Sequence, residues 1–347
     1  MIKSNIDLEN FCLKISKSTH IAIDTEFKRT DTYFPILCLI QIATDEFLEI
    51  IDPKSINNFE PLISLLKDNR ITWIFHSARQ DLELIFSEFG LLPKKIFDTQ
   101  IAANFLDFDY QISYQVIIEK VCNVKLEKKY TRIDWSKRPL PPGAIDYAFD
   151  DVRYLIKLKN ILETKLISEK KLDWAEEDFR AILNQKLYQP DIFKSWKKVK
   201  GFSKINKNKY RYAFAMSAWR EQYAIKKDKP RKWIISDEQI FSLINGNYSL
   251  NKDKKQDLDS FCEHFKNEIN NFKFDKKINI LTKKESEQKK RLQSSLVVVA
   301  NQYNLKPEML FNKKSIMSFI KTRQKANFQS GWRYSLLKEE LSKWETF

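Results

Sequence analysis

The stretch Ile21-Ala22-Ile23-Asp24-Thr25-Glu26-Phe27 constrains this chain more than any other. Its β-branched and aromatic content predicts a strand, yet it carries two acids. Residues i and i+2 of a strand point to the same face, so Asp24 and Glu26 project together. Adjacent carboxylates in a buried strand repel each other and lose hydration. They persist there only if protonated, paired with a base or bound to a cation. An edge strand with two solvated acids would carry the same letters, so the surrounding chain has to decide.

Around that stretch the pattern is mixed. An amphipathic helix start at Ser4 to Asp7 has capping-box spacing. Ile36 to Ala43 and Phe47 to Ile51 read as strands, and the short Thr44-Asp45-Glu46 link predicts a hairpin. Phe59 to Lys67 is helical in period, Ile71 to Phe75 is a short strand, and the helix through Asp81 to Phe86 should stop at Gly90. A strand-to-helix passage begins at Ile96, and Tyr114 to Val121 is a further helix. After Pro139, Pro141, Pro142 and Gly143, one long helix is expected from about Ile145 to Ile167. Three strands in a meander followed by alternating strand and helix predict a mixed α/β sheet.

Beyond about Leu172 the strand signal is lost. Tyr212 to Ala224, Asp237 to Ile244, Leu258 to Ile269, Glu287 to Tyr303 and Ser315 to Lys325 are helical in pattern. Lys200 to Asn208 reads as a linker into this region, with a second break near Phe274 to Lys284. Charge divides the same way. The net charge is +15, but residues 192–347 hold 35 Lys and Arg against 16 Asp and Glu, while residues 1–191 hold 26 against 30. A polyanionic partner for the C-terminal half follows, most plausibly nucleic acid. The four cysteines are scattered without C-x-x-C and there are three histidines, which argues against a zinc site or a disulfide framework. No apolar run approaches the ~18 residues of a membrane helix, and the N-terminus lacks a signal-peptide pattern. A cytoplasmic protein is expected, with no obligate protein partner indicated.

Three acid-bearing segments combine. Asp24 and Glu26 lie on the first strand, Asp81 lies early in a helix after the Phe75 strand, and Tyr147 and Asp151 share a helix face four residues apart. Singly, each is ordinary: an N-terminal helix acid, a packing tyrosine, a solvated Asp150-Asp151 pair. Together, Asp24, Glu26, Asp81 and Asp151 offer an all-oxygen ligand set suited to Mg²⁺ or Mn²⁺. Two such ions form the clamp used for in-line phosphoryl displacement, and Tyr147 would orient the attacking water.

In order and context these segments resemble the 3′–5′ exonucleases with an RNase H-like fold, and among them the ribonuclease D family. The motifs are Ile23-Asp24-Thr25-Glu26-Phe27, then His76-Ser77-Ala78-Arg79-Gln80-Asp81-Leu82-Glu83, then Tyr147-x-x-x-Asp151. The last is the tyrosine variant, since the position that holds histidine in the other subtype is Asp146. Ile51-Asp52-Pro53, Phe97-Asp98-Thr99-Gln100 and Tyr130-Thr131-Arg132-Ile133-Asp134-Trp135 match as connecting segments. The resemblance covers residues 1 to about 190. Downstream, Ala218-Trp219-Arg220-Glu221 through Trp233 to Asp237 is similar to the helical HRDC domain, and Phe328 to Arg333 resembles the family's C-terminal end.

The resemblance implies an α/β RNase H-like exonuclease domain (1–190), an HRDC domain (205–280) and a C-terminal helical domain (285–347), with a diverged second HRDC copy as the alternative reading of the last. It makes Asp24, Glu26, Asp81 and Asp151 ligands of two divalent ions and Tyr147 the residue that orients water. Phe27 and His76 become tentative contacts to the terminal nucleotide. The expected activity is hydrolysis of single-stranded RNA 3′ ends to nucleoside 5′-monophosphates, with tRNA precursors as substrates. A DNA-directed exonuclease and a non-catalytic RNA-binding protein are the alternatives. Trp196, Trp219, Trp233 and Trp332 are expected to be core residues.

Overall fold

A computed structural model describes residues 1–127, 129–274, 281–322, 328 and 330–345. Helix α1 (Asn5–Ile15) begins at Ser4, whose hydroxyl oxygen accepts the Asp7 N–H at 3.2 Å. Five strands follow: β1 (His20–Lys28), β2 (Ile36–Ala43), β3 (Leu48–Ile51), β4 (Thr72–Phe75) and β5 (Ile96–Asp98), in the order β3-β2-β1-β4-β5. The β2–β3 hairpin is antiparallel, and β1, β4 and β5 run parallel. Ile21, Ala22 and Ile23 are fully buried. The strand that carries Asp24 and Glu26 is therefore the middle strand, which removes the edge-strand alternative: its flanks are taken by hydrogen-bonded neighbours.

Helices α2 (Glu60–Lys67), α3 (Arg79–Phe89), α4 (Thr99–Asn104), α5 (Tyr114–Cys122), α6 (Ala144–Arg153), α7 (Leu155–Ser168) and α8 (Leu172–Ile182) accompany the sheet. α3 ends at Gly90, whose φ of +70° is the left-handed cap expected there. The helix expected from Ile145 to Ile167 is two helices. They break at Tyr154 (φ −104°, ψ 0°), without a proline or glycine to mark the place in sequence.

The chain groups into two units, one of residues 1–28, 37–188 and 281–347, the other of residues 29–36 and 189–280. The second unit contains α9 (Tyr210–Lys227), α10 (Arg231–Ile234), α11 (Asp237–Asn245), α12 (Lys252–His264) and α13 (Lys266–Asn271). Its core gathers Phe214, Met216, Trp219, Ile240, Leu258 and Phe261. Phe202 and Ile205 are buried in that core, so Lys200 to Asn208 is packed structure and not a linker; its lysines and asparagines hid two anchors. Glu221, 1% exposed, accepts the Tyr33 hydroxyl at 2.7 Å, and one Asp228 oxygen accepts the N–H groups of Tyr33 and Phe34 at 3.0 and 3.1 Å. These bonds tie the segment after β1 into the helical unit.

The first unit is completed by α14 (Lys283–Gln302), α15 (Pro307–Leu310), α16 (Lys313–Thr322) and α17 (Gly331–Glu345). Trp332 stacks on Trp174 at 5.5 Å, and Arg333 donates to both oxygens of Asp178 at 2.6 and 2.9 Å. Residues 275–280 of the second expected break, the end of the expected Ser315–Lys325 helix and Gln329 lie outside the described residues. Trp219 and Trp332 are buried and Trp196 packs among Phe202, Phe272 and Phe274, as expected of core tryptophans. Trp233 departs from that expectation, being 61% exposed. None of the described helices is long and apolar enough to cross a membrane, and all four cysteines are free.

Candidate active site

Strand β1 presents Asp24 and Glu26 on one face, and α6 brings Asp151 to them. One carboxylate oxygen from each of the three lies within 4.8 Å of the others. The start of α6 sets this register. Gly143 takes φ +81°, and a Cβ there would stand 2.7 Å from the Tyr130 hydroxyl, which itself donates to the Pro142 carbonyl at 2.5 Å. Only glycine allows both the backbone conformation and that approach. One turn separates Tyr147 from Asp151, and the phenol lies close enough to hold the Asp151 pKa down.

Asp81 stands outside this group of three, near enough for its charge to raise the pKa of both Asp24 and Glu26. It lies in the first turn of α3, is 7% exposed, and accepts the Thr25 hydroxyl at 2.5 Å. Thr25 lies between the two acids of β1 and points away from them, so one strand presents acids on one face and a donor on the other. Asp98 fixes the entry to α3. Its two oxygens accept the N–H groups of Ser77 (3.1 Å) and Ala78 (2.7 Å), and one of them also caps α4 at Gln100 and Ile101. These bonds hold Ser77 at φ +67°, a conformation that non-glycine residues seldom adopt.

The four acids crowd one another. Burial pushes Asp24 well above the usual carboxylate range, and Asp81, Asp151 and Glu26 push it further. Burial lifts Glu26 to about 9, again with Asp151 and Asp81 adding to the rise. Asp81 and Asp151 are raised to about 7, chiefly by burial; the Thr25 hydroxyl opposes the rise at Asp81, and the Tyr147 phenol opposes it at Asp151. Such a set holds protons or takes up a cation. Its donors are all oxygen, which fits a hard divalent ion and not zinc.

Tyr147 is set in an aromatic frame. Trp135 stacks with it and Tyr130 meets it edge-on, both at 6.1 Å between centroids, and Thr131 Oγ1 lies 3.5 Å from its hydroxyl. Burial raises its phenol above the ordinary value, so it is a neutral donor. The frame is anchored by Arg138, which donates to both oxygens of buried Asp52 (2.6 and 2.8 Å) and to the carbonyls of Trp135 (2.8 Å) and Cys38 (2.9 Å). From the other direction, the Tyr114 hydroxyl donates to the Asp150 carbonyl at 3.0 Å and steadies the backbone next to Asp151.

Phe27 is half-buried against the apolar core. The two ring nitrogens of His76 are both engaged. Nε2 lies 3.0 Å from the Ile112 carbonyl, which can only accept, so this nitrogen carries the proton; Nδ1 lies 2.9 Å from the Thr99 hydroxyl. Burial lowers the pKa of His76 and keeps it neutral. Asp150 turns away to Arg153 at 3.0 Å. Thr25, Asp98, Tyr114 and Arg138 position the acids without belonging to a spaced acidic motif. Thr25 and Asp98 lie inside segments that carry the family resemblance and Arg138 lies close to one, whereas Tyr114 lies in none of them.

Residues 1–167 match the family described as 3′-5′ exonuclease. The chain is 36% identical over 245 residues to ribonuclease D of Bartonella henselae, covering 70% of this chain and 60% of that protein. It is 36% identical over 247 residues to ribonuclease D of Sphingobium indicum, covering 71% and 63%. The chain thus spans less than two thirds of the length of these relatives. Its fold is similar to the crystal structure of Escherichia coli RNase D, described as an exoribonuclease involved in structured RNA processing. The TM-score is 0.84 at 24% identity, over 99% of this chain and 97% of that one. The mixed sheet with its helices is an RNase H-like exonuclease fold, followed by helical segments consistent with HRDC.

Proposed function

We propose that this chain, whose residues 1–167 match the 3′-5′ exonuclease family and whose relatives are named ribonuclease D, hydrolyses single-stranded RNA from the 3′ end, releasing nucleoside 5′-monophosphates. The observation that carries this reading is the convergence of Asp24, Glu26 and Asp151, with oxygens within 4.8 Å, and with Tyr147 one turn before Asp151 on α6. Asp24, Glu26, Asp81 and Asp151 are the residues that would hold two divalent ions, Mg²⁺ or Mn²⁺. Bound there, the ions supply the positive charge that lets a phosphodiester and its nucleophile approach four acids, and they activate water at neutral pH.

The protein's own groups do the positioning. The Tyr147 phenol, held neutral by burial, donates toward the nucleophilic water and orients it along the line of attack. Thr25 fixes the position of the Asp81 carboxylate, and Asp98 keeps the helix start in place. Phe27, beside Glu26, is the proposed contact to the terminal base. His76, with both nitrogens engaged, serves the terminal nucleotide by stiffening the Phe75–Ala78 turn. Residues 205–280 form the HRDC domain in this reading and 285–347 a second helical domain. Their excess of cations attracts the RNA backbone, so that binding weakens with salt. Precursors of tRNA are the proposed substrates and the cytoplasm the proposed location, in keeping with four free cysteines.

The test is release of mononucleotide from 3′-labelled RNA, from matched DNA and from a tRNA precursor, each with Mg²⁺, with Mn²⁺ and with chelator. Metal-dependent release from RNA is expected. Preference for DNA, or RNA binding without any release, would refute the proposal.

A further inference from the structure

Among the described residues, Tyr212, Trp233 and Tyr248 are aromatic side chains of the helical unit exposed outside its core, and Trp233 is the most exposed of them. Trp233 lies on α10, a single turn that begins at Pro230, whose carbonyl accepts the Trp233 N–H at 2.8 Å. The next residues, Ile234 and Ile235, are buried at 7% and 1% exposure and anchor the turn. That anchoring leaves Trp233 turned outward and 61% exposed, the largest side chain among the exposed apolar residues. A lone exposed ring is ordinary in itself; what sets this one apart is the cations around it.

These surroundings point to a class of ligand. The eight residues from Lys226 to Trp233 hold five cations and one acid, and that acid, Asp228, already accepts two backbone N–H groups. Lys226 pairs with Asp257 at 2.8 Å and Arg231 with Glu221 at 3.3 Å. Lys227, Lys229 and Lys232 form no close ion pair among the described residues, although Lys232 lies within the electrostatic reach of Asp237 and Glu238. Lys229 Nζ stands 6.0 Å from the Trp233 ring centroid, and Lys227 Nζ stands 5.8 Å from the ring of Tyr223. Protein–protein interface cores are depleted in lysine, whereas single-stranded nucleic acids are held by aromatic faces set among cations. The whole unit carries 22 Lys and Arg against 12 Asp and Glu.

We propose that Trp233 is a base-stacking platform for single-stranded RNA, with Lys227, Lys229 and Lys232 holding the flanking phosphates. Lys229 also donates to the Asp31 carbonyl at 3.4 Å, in the segment that follows β1 directly in the chain. The inference rests on the RNA-directed reading above and adds to it a specific substrate contact.

The experiment uses the full-length chain made catalytically silent by Asp24→Asn. Binding of a labelled single-stranded RNA oligonucleotide and of an RNA duplex is measured by fluorescence anisotropy at several salt concentrations. Trp233→Ala should weaken single-strand binding roughly 5- to 150-fold with little change in the salt slope or in duplex binding, and Trp233→Phe should restore most of it. Lys227→Gln, Lys229→Gln and Lys232→Gln together should lower the salt slope. The fluorescence that distinguishes the parent from Trp233→Phe should be quenched by single-stranded RNA. Equal weakening on duplex and single strand, or a Trp233→Phe chain as weak as Trp233→Ala, would overturn the proposal. So would undiminished RNA binding by Trp233→Ala, which would leave this face to a protein partner. If the parent itself fails to bind RNA, the RNA-directed reading fails as well; if only Trp233→Ala is silent, that reading stands.

Discussion

The Thr25 hydroxyl donates a 2.5 Å hydrogen bond to the Asp81 carboxylate, so the residue between the two acids of β1 holds the third acid in place. Strand periodicity makes this possible: Asp24 and Glu26 face one way and Thr25 the other. Thr25→Val keeps the shape and removes the donor. It should cost roughly 1–3 kcal/mol of stability, as expected when a buried acceptor loses its partner. It should also raise the Asp81 pKa and weaken Mn²⁺ binding near pH 7. The deficit in Mn²⁺ affinity should shrink at pH 8.5, where Asp81 is ionised in both proteins. Calorimetric titration at the two pH values checks this.

Asp24→Asn and Asp151→Asn should each lower mononucleotide release by roughly a thousandfold or more, because a metal site that contributes several kcal/mol to the transition state loses a ligand. Single-stranded RNA binding should remain within about twofold in 0.1 M salt, because the cations that attract the backbone lie in residues 192–347. Parallel loss of binding and activity would contradict this division of labour.

Tyr147→Phe keeps the ring between Trp135 and Tyr130 and removes the phenol. Release should slow by about 10²-fold, the lower range for a positioned proton donor. The rise in Tm on adding Mn²⁺ should persist, since no ligand is lost. Turnover equal to that of the parent would take Tyr147 out of the mechanism.

The acids also set a pH dependence. Their folded-state pKa values are raised, Glu26 to about 9 and Asp81 and Asp151 to about 7. Without metal, the fold holds protons that the unfolded chain releases near pH 4. These groups therefore favour the fold most in acid, and that contribution is lost as pH rises through about 7 to 9. Divalent ions should reverse this, raising Tm strongly at pH 8 and hardly at all at pH 5.5, where protons compete for the site. Glu26→Gln should be more stable than the parent at pH 8 without metal. A metal effect of equal size at both pH values would contradict the argument.

Arg333 and Asp178 form a two-point ion pair inside the first unit, with Trp332 stacked on Trp174 beside it. Arg333→Ala and Asp178→Ala should each cost about 1.5–3 kcal/mol, the range for hydrogen bonds to charged groups. The double variant should cost much less than their sum. Additive losses in denaturant unfolding would show that the pair does not couple α8 to α17.

Local chemistry was enough to read much of this protein from its letters. Short runs of β-branched, aromatic and other apolar residues marked β1 to β5, Gly90 marked the end of α3, and the charge excess divided the chain into unequal halves. Two acids two residues apart in one strand required a cation, a base or a proton, and the Tyr147–Asp151 spacing placed a phenol and an acid on one helix face. These features depend on neighbours within a turn or a strand, so sequence order contains them.

Tertiary structure decided what depends on partners far apart in the chain. β1 is central because β2 and β4 flank it, which no local pattern states. Asp81 is held against β1 because Asp98 caps the turn before it and Thr25 donates to it, contacts spanning 20 residues or more. The helix from Ala144 to Ser168 breaks at Tyr154 with no breaker residue. Trp219 and Trp233 look alike as tryptophans in a basic helical stretch, yet one is buried and the other 61% exposed. Burial is a property of the packed whole: the turn anchored by Ile234 and Ile235 fixes which ring faces the core and which faces water.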